Sequence, residues 1–164
     1  MFAPRVLGVD PGLTRCGFAV VEPRGARRPR LVTLGVIRTD KSSPLATRLA
    51  ELAVELEDLL DRHEPTAVAV ERVFFRANAR TAMSVAQASG LALAAAARRG
   101  IAVAEYTPNA VKLAVAGHGT ADKAQVQRMV RQRFGLRDTP RPADAADAAA
   151  LALCHIATIP RWAA

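Results

Sequence analysis

Four carboxylates in the sequence stand at places where they could bind a metal ion: Asp10, Glu71, Asp144 and Asp147. Asp10 ends the apolar run RVLGVD, and Glu71 ends the apolar run TAVAVE. Partly buried carboxylates repel one another unless a cation lies between them. Oxygen donors with no nearby Cys or His suit Mg²⁺ or Mn²⁺ better than zinc. The four acids therefore predict a divalent-metal site, and a pair of such ions activates water for attack on a phosphodiester.

Each acid also has an ordinary structural explanation. Asp10 precedes a Pro-Gly turn, Glu71 fits as a lone charge at a strand end, and Asp144 suits the first turn of a helix. The i, i+3 spacing of Asp144 and Asp147 places both on one helical face, among alanines that would let the helix lie close to a sheet. We favour the metal site, because the structural explanations require four coincidences in a basic protein.

The composition favours a polyanionic partner. The chain has 164 residues, with 23 Lys and Arg against 15 Asp and Glu, a net charge of +8. Such an excess indicates nucleic acid first and a membrane surface second, although a generally Arg-rich proteome would give the same composition. Cys16 and Cys154 lack the spacing of a zinc site. We expect one domain over 1–164, with no small-molecule cofactor.

The lengths of the apolar segments indicate where in the cell the protein is located. The N-terminus lacks a signal-peptide core, and the longest apolar run, LALAAAA at 91–97, is too short to span a bilayer. We therefore expect a cytoplasmic protein that does not enter a membrane.

The first half of the chain must supply most of the sheet that positions these acids. Apolar runs predict strands over 5–10, 16–22 and 31–39, forming an antiparallel meander whose second connection, RGARRPR, is a wide charged loop. Leucines at three- and four-residue steps predict a helix over 44–63. The unbroken apolar run 66–71 is typical of a strand buried on both faces of a parallel sheet.

The second half alternates helices and strands. The pattern predicts a helix over 78–99 that ends at Gly100, a strand over 101–106, and helices near 108–115, 121–134 and 142–158. This order predicts an α/β fold of the RNase H-like type, a five-stranded mixed sheet flanked by helices. If the first and fourth strands are parallel neighbours, Asp10 and Glu71 end in the same space.

Four separated segments carry a family resemblance: LGVDPGLTRCGFAVVE, AVAVERVFF, EYTPNAVKLAVAGHGTADKAQVQRMV and PADAADAAALALCH. They resemble the RuvC family of crossover junction endodeoxyribonucleases, the Holliday junction resolvases of the RNase H-like superfamily. The resemblance implies a Mg²⁺-dependent hydrolase with two ions per site and Mn²⁺ as a substitute. The family's catalytic, metal-binding acids fall on Asp10, Glu71, Asp144 and Asp147. Some members have His in place of the third acid, but here it is Asp144.

The same resemblance implies partners. It implies a homodimer that binds a four-way DNA junction and nicks two opposed strands during recombination and repair. It also implies a functional link to the RuvAB branch-migration complex. Small residues on the 78–99 helix permit close packing either between subunits or against the sheet, and two coordinated cuts favour the dimer.

Basic and aromatic residues predict the DNA contacts. Phe74 matches the family's stacking aromatic, although Phe74 or Phe75 also fits as a core residue. Arg76 lies in the basic segment RVFFRANAR as a phosphate contact, and Lys112 and Lys123 match basic residues of the family's DNA-binding face.

The glycine-containing loop at 117–120 predicts a further phosphate contact. Thr120 fits as the N-cap of the helix after it, and a helix N-terminus of that kind favours phosphate. The spacing of a P-loop is absent. His118 fits as an ordinary loop residue rather than a ligand.

Three other functions would explain part of the sequence. A nuclease for structured RNA would keep the acids but not Phe74, Lys112 and Lys123 in their context. An actin-like phosphotransferase needs two lobes, for which 164 residues are too few. A non-catalytic junction-binding scaffold would have lost at least one carboxylate.

Overall fold

The computed structural model describes residues 3–73 and 78–159. Its strands are β1 Val6–Asp10, β2 Arg15–Arg24, β3 Arg27–Arg38, β4 Ala67–Glu71 and β5 Ala102–Tyr106. Its helices are α1 Leu45–His63, α2 Ala79–Arg98, α3 Pro108–Ala116, α4 Lys123–Phe134 and α5 Ala143–Thr158. Among the described residues, no helix combines the length and the apolar character needed to cross a bilayer.

The strands form one mixed sheet in the order β3-β2-β1-β4-β5. The first three are antiparallel neighbours, whereas β4 runs parallel to both β1 and β5. The predicted five-stranded mixed sheet flanked by helices is confirmed. Its central pair, β1 and β4, end at the same edge of the sheet.

The alternation of side chains along β1 separates two cores. Val6 belongs to the cluster formed with α5, and Leu7 and Val9 belong to the cluster formed with α1 and α2. Gly8 faces α5, because a Cβ placed on it would lie 2.0 Å from the carbonyl oxygen of Ala148. Since successive strand residues point to opposite faces, Asp10 also faces α5.

Helix α1 covers the other face with large side chains. Its buried residues are Leu52, Leu56, Leu59 and Leu60, at the predicted three- and four-residue steps. The helix ends at Glu64, which adopts a left-handed conformation just before Pro65. The 3.6-residue period thus places one leucine stripe against the sheet.

The predicted wide loop after β2 is wrong. Strand β2 continues to Arg24 and β3 begins at Arg27, so the connection is a tight turn in which Gly25 has φ 57°. The buried carboxylate of Glu22 accepts a hydrogen bond from Arg30 Nη2 at 2.7 Å. This ion pair lets the basic segment form a strand, because it supplies the negative charge that the segment lacks.

Candidate active site

The four predicted acids come from three elements that meet at one edge of the sheet. Asp10 and Glu71 are the last residues of β1 and β4, which are parallel and pair Val9 with Val70. Asp144 and Asp147 lie in the first two turns of α5. Carboxylate oxygens of Asp10, Asp144 and Asp147 lie within 4.8 Å of one another. The structure therefore brings together two acids of one helix and one acid of the central strand.

Glu71 borders this group of three. It lines a depression together with Lys123 and Asp147, and its charge acts on Asp10. Its own pKa is raised, first by burial and then by the charge of Asp147. Glu71 therefore belongs to the same electrostatic cluster, at the side that faces β5.

Small residues bring α5 close enough to join the cluster. A Cβ on Gly17 of β2 would lie 2.1 Å from the carbonyl oxygen of Asp144, so only glycine permits this approach. Farther along α5, Ala145 and Ala148 are fully buried against the sheet. The alanines were recognised in the sequence, but the glycine was not. Its interior strand position was the available signal, since such glycines mark close backbone approach.

Burial disfavours the ionised form of the Asp10 carboxylate when no metal is bound. Its pKa is raised from 3.8 to about 8, mainly by burial and further by the negative charges of Glu71, Asp147 and Asp144. The positive charge of Lys123 opposes this shift. A divalent cation would favour the ionised form of all four acids.

Two basic side chains already contact the helix acids. Arg15 Nε lies 2.6 Å from Asp144 Oδ2, and Lys123 Nζ lies 3.0 Å from Asp147 Oδ2. The hydrogen bond to Asp147 is the main cause of a raised Lys123 pKa. Arg15 was not predicted as a functional residue, because nothing in the order of residues shows that the start of β2 meets the start of α5.

The donor set fits a hard divalent cation. Every side chain in the cluster offers carboxylate oxygen, which suits Mg²⁺ and Mn²⁺. The raised pKa of Asp10 marks a buried acid that lacks sufficient positive charge nearby. A bound cation would supply that charge. Asp10, Asp144 and Asp147 could hold such a cation, and Glu71 lies beside them.

The predicted DNA-binding residues are only partly described. Lys112 lines two depressions, and Glu71 borders both. Lys123 is exposed and directed at Asp147. Phe74 and Arg76 lie outside the described residues. The two lysines thus flank the acids from α3 and α4.

The predicted cap of α4 by Thr120 is wrong. Asp122 is the N-cap, and its carboxylate accepts a hydrogen bond from the backbone N–H of Gln125 at 2.7 Å. The Gln125 side chain returns a bond to the Asp122 backbone, completing a capping box. The backbone N–H of Gln125 is therefore bonded to Asp122 and not to Thr120. The phosphate contact at the 117–120 loop stays a prediction.

Known proteins share this arrangement over most of the chain. The family model for crossover junction endodeoxyribonuclease RuvC matches residues 6–155. A protein of that name from Parafrankia sp. is 57% identical over 152 residues, covering 93% of this chain and 85% of the relative. The RuvC structure of Thermus thermophilus superposes with a TM-score of 0.87 at 41% identity and 93% coverage of both chains. The same protein in complex with a Holliday junction substrate gives a TM-score of 0.88 at 41% identity, covering 93% of this chain and 92% of that chain.

The sheet order and the acids at the ends of its central strands define an RNase H-like nuclease, a hydrolase. Within that class, the chain belongs to the RuvC family of crossover junction endodeoxyribonucleases.

Proposed function

We propose that this protein resolves four-way DNA junctions by metal-dependent hydrolysis of one phosphodiester in each of two opposed strands. One observation carries the proposal. Three acids from β1 and α5 converge within 4.8 Å in a protein of net charge +8. A basic surface attracts the DNA backbone, and an acidic cluster within it concentrates divalent cations beside the phosphate. The Holliday junction bound by the similar Thermus thermophilus protein supports the choice of substrate.

In this proposal the acids Asp10, Glu71, Asp144 and Asp147 hold two Mg²⁺ ions, for which Mn²⁺ can substitute. Bound there, the metal supplies an activated water and stabilises the leaving oxygen. Asp10, whose pKa is raised mainly by burial, would hold a cation at the inner end of the site. Asp144 and Asp147 keep their positions relative to Asp10, because they share one helix face that alanine and glycine contacts hold against the sheet.

The proposed DNA contacts surround these acids. Lys112 and Lys123 bind phosphates on either side of the cluster. Their positions beside Glu71 and Asp147 support this role. Phe74 and Arg76, which follow Glu71 in the chain, are proposed to stack on an unpaired base and to contact a phosphate, respectively.

The proposal extends to the assembly. Two opposed cuts require two sites, so we propose a homodimer in which each copy is one nuclease domain over 1–164. The exposed small residues Ala86, Gly90 and Ala94 form a stripe on α2, beside Met83, which is 62% exposed. Such a stripe permits close approach of a second helix. We also propose that the protein is located in the cytoplasm and acts together with the RuvAB complex.

The test is a nicking assay on a synthetic four-way junction and on a linear duplex of the same sequence. The wild type is expected to nick opposed junction strands with Mg²⁺ and to leave the duplex uncut. Asp10→Asn is expected to abolish nicking and to retain junction binding in a mobility-shift assay, because it removes a metal ligand without disturbing the basic surface.

Two outcomes would contradict the proposal. Junction binding without cutting, across a range of sequences with Mg²⁺ or Mn²⁺, would instead identify a scaffold. Equal cutting of junction and duplex would identify a nuclease without junction selectivity.

A further inference from the structure

Arg15 occupies a position in the metal cluster that the nuclease chemistry leaves without a role. It begins β2 and points to the α5 face, since it is two residues from Gly17 on the same strand. Its Nε donates a hydrogen bond of 2.6 Å to Asp144 Oδ2. A charge-assisted bond of this length competes for the same carboxylate that a metal would use.

Hydrogen bonds fix the turn that precedes Arg15. Thr39 Oγ1 donates a hydrogen bond to the Leu13 carbonyl at 2.6 Å, and Arg48 Nη2 donates one to Thr14 Oγ1 at 2.8 Å. Arg48 Nε also bonds Thr39 Oγ1 at 3.0 Å. Arg15 is therefore held at the cluster by a fixed backbone, while its guanidinium group remains the movable part.

The ion pair is accessible to solvent and to DNA. The side chains of Arg15 and Asp144 are 42% and 30% exposed. A guanidinium group binds a phosphate as well as it binds a carboxylate. The same group can thus exchange one anionic partner for another without leaving the site.

We propose that Arg15 is a positioning residue that holds Asp144 in the metal-free site, releases it when a divalent cation binds, and then contacts a DNA phosphate. The part of this inference that concerns DNA rests on the proposed function. The cation would bind Asp144 and the DNA phosphate would bind Arg15, so each ligand frees the residue that the other one needs. Binding of the cation and binding of DNA should therefore strengthen each other by the same factor.

The primary test is calorimetric titration of the metal-free full-length protein with Mn²⁺, which needs no DNA and no activity. Arg15→Gln is expected to bind Mn²⁺ about fivefold more tightly than the wild type, the factor that corresponds to one partly exposed ion pair. Arg15→Lys should restore an affinity close to that of the wild type. Circular dichroism of both variants verifies folding, and Arg15→Met, which also removes the charge, takes the place of Arg15→Gln if that variant does not fold.

A matched control comes from the neighbouring strand. Arg38 of β3 pairs with Arg15 in the sheet and is exposed, and it forms no salt bridge within residues 3–73 and 78–159. Arg38→Gln removes the same charge from the same end of the sheet. It is expected to change Mn²⁺ affinity by less than half as much as Arg15→Gln, because its charge is not bonded to a metal ligand.

The second readout is junction affinity measured by fluorescence anisotropy in EDTA and in Ca²⁺. The wild type should gain more affinity from Ca²⁺ than Arg15→Gln does. Equal or weaker Mn²⁺ binding by Arg15→Gln, or an equal gain from Ca²⁺ in both proteins, would overturn the inference. A protein that shows the expected Mn²⁺ result but never cuts junctions would refute the nuclease proposal and leave the competition at Asp144 intact.

Discussion

The two faces of the sheet differ in the size of their side chains. The face under α1 and α2 presents Leu7, Val9, Val68 and Val70, which pack against a leucine stripe. The face under α5 presents Val6 and Val21, but its other residues are small: Gly8, Gly17, Ala19, Ala67 and Ala69. Gly8 lies against Ala148 and Gly17 against Asp144 of α5. Both faces are buried, but only the second carries the acids.

The difference separates stability from positioning. Each buried leucine or valine of the α1 face contributes about 1.5–3 kcal/mol, whereas an alanine contributes far less. In return, the small side chains of the α5 face bring a helix backbone into contact with the strands. The first turns of α5 therefore reach Asp10, and a chain whose two faces were equally large could not assemble this cluster.

Among substitutions that leave the four acids unchanged, the largest expected effect on cutting comes from Gly17→Ala. Its new Cβ would lie 2.1 Å from the Asp144 carbonyl oxygen, so α5 must move away from the sheet. We expect junction nicking to fall by about 100-fold, since small misplacements of catalytic groups have costs of that order. The free energy of unfolding, measured in urea, should fall by only about 1–3 kcal/mol.

The matched variant on the other face is Leu52→Ala. Leu52 is fully buried in α1, and its truncation should cost about 2–5 kcal/mol of unfolding free energy. At 15 °C its nicking rate should stay within a few-fold of the wild type, because the acids do not move. If Leu52→Ala lost activity as completely as Gly17→Ala, positioning would not be the special property of the α5 face.

Most of the fold was predictable because its signals are local. The leucine spacing of α1 and the apolar run of β4 depend only on neighbours in the chain, and both elements formed as predicted. The β2–β3 turn was mispredicted because a segment rich in arginine, which includes Arg24 and Arg27, is typical of a solvated loop. The ion pairs of Glu22 that stabilise this strand pairing join residues whose partnership the order of amino acids does not show.

The sequence indicated the four acids and Lys123 as candidate site residues, but it did not indicate Arg15. Asp10 and Glu71 stand at strand ends, and Asp144 and Asp147 share a helical face, so periodicity predicts each pair. That the two pairs meet was expected from the small residues of the last helix and from the family resemblance. The Arg15–Asp144 contact joins residues 129 positions apart and depends on the close packing at Gly17. Such a contact becomes visible only when the packing distance between α5 and the sheet is known.

The next largest expected effect is a pH dependence of folding stability that is caused by Asp10, which lies on the α5 face. The pKa of Asp10 is about 8 in the metal-free folded protein and 3.8 ordinarily, so the folded state holds a proton that the unfolded state has lost between these values. Stability in EDTA should therefore decrease as the pH rises from about 4 to 8, by up to about 5 kcal/mol at 1.36 kcal/mol per pH unit. Thermal melts at unit pH steps measure it.

Two comparisons isolate the contribution of Asp10. Asp10→Asn should flatten the slope, because the amide does not titrate, and it should raise the metal-free melting temperature at pH 8. Saturating Mg²⁺ should flatten the slope of the wild type, since it favours the ionised carboxylate. An unchanged slope in Asp10→Asn would show that other groups cause the pH dependence.

The smallest expected effect is at the N-terminus of α4, which packs on the α5 side and carries Lys123. Asp122→Ala removes the capping bond to Gln125 and should cost about 1 kcal/mol. For a chain of this length the melting temperature should fall by about 2–4 °C. Nicking should fall less than threefold, because only the first turn of α4 loosens.

Asp58→Ala, which breaks an exposed pair with Arg62 on α1, is the control and should lower stability by about 0.5 kcal/mol or less without affecting nicking. A larger loss of nicking in Asp58→Ala than in Asp122→Ala would mean that the α1 side also positions the site, contrary to the division between the two faces.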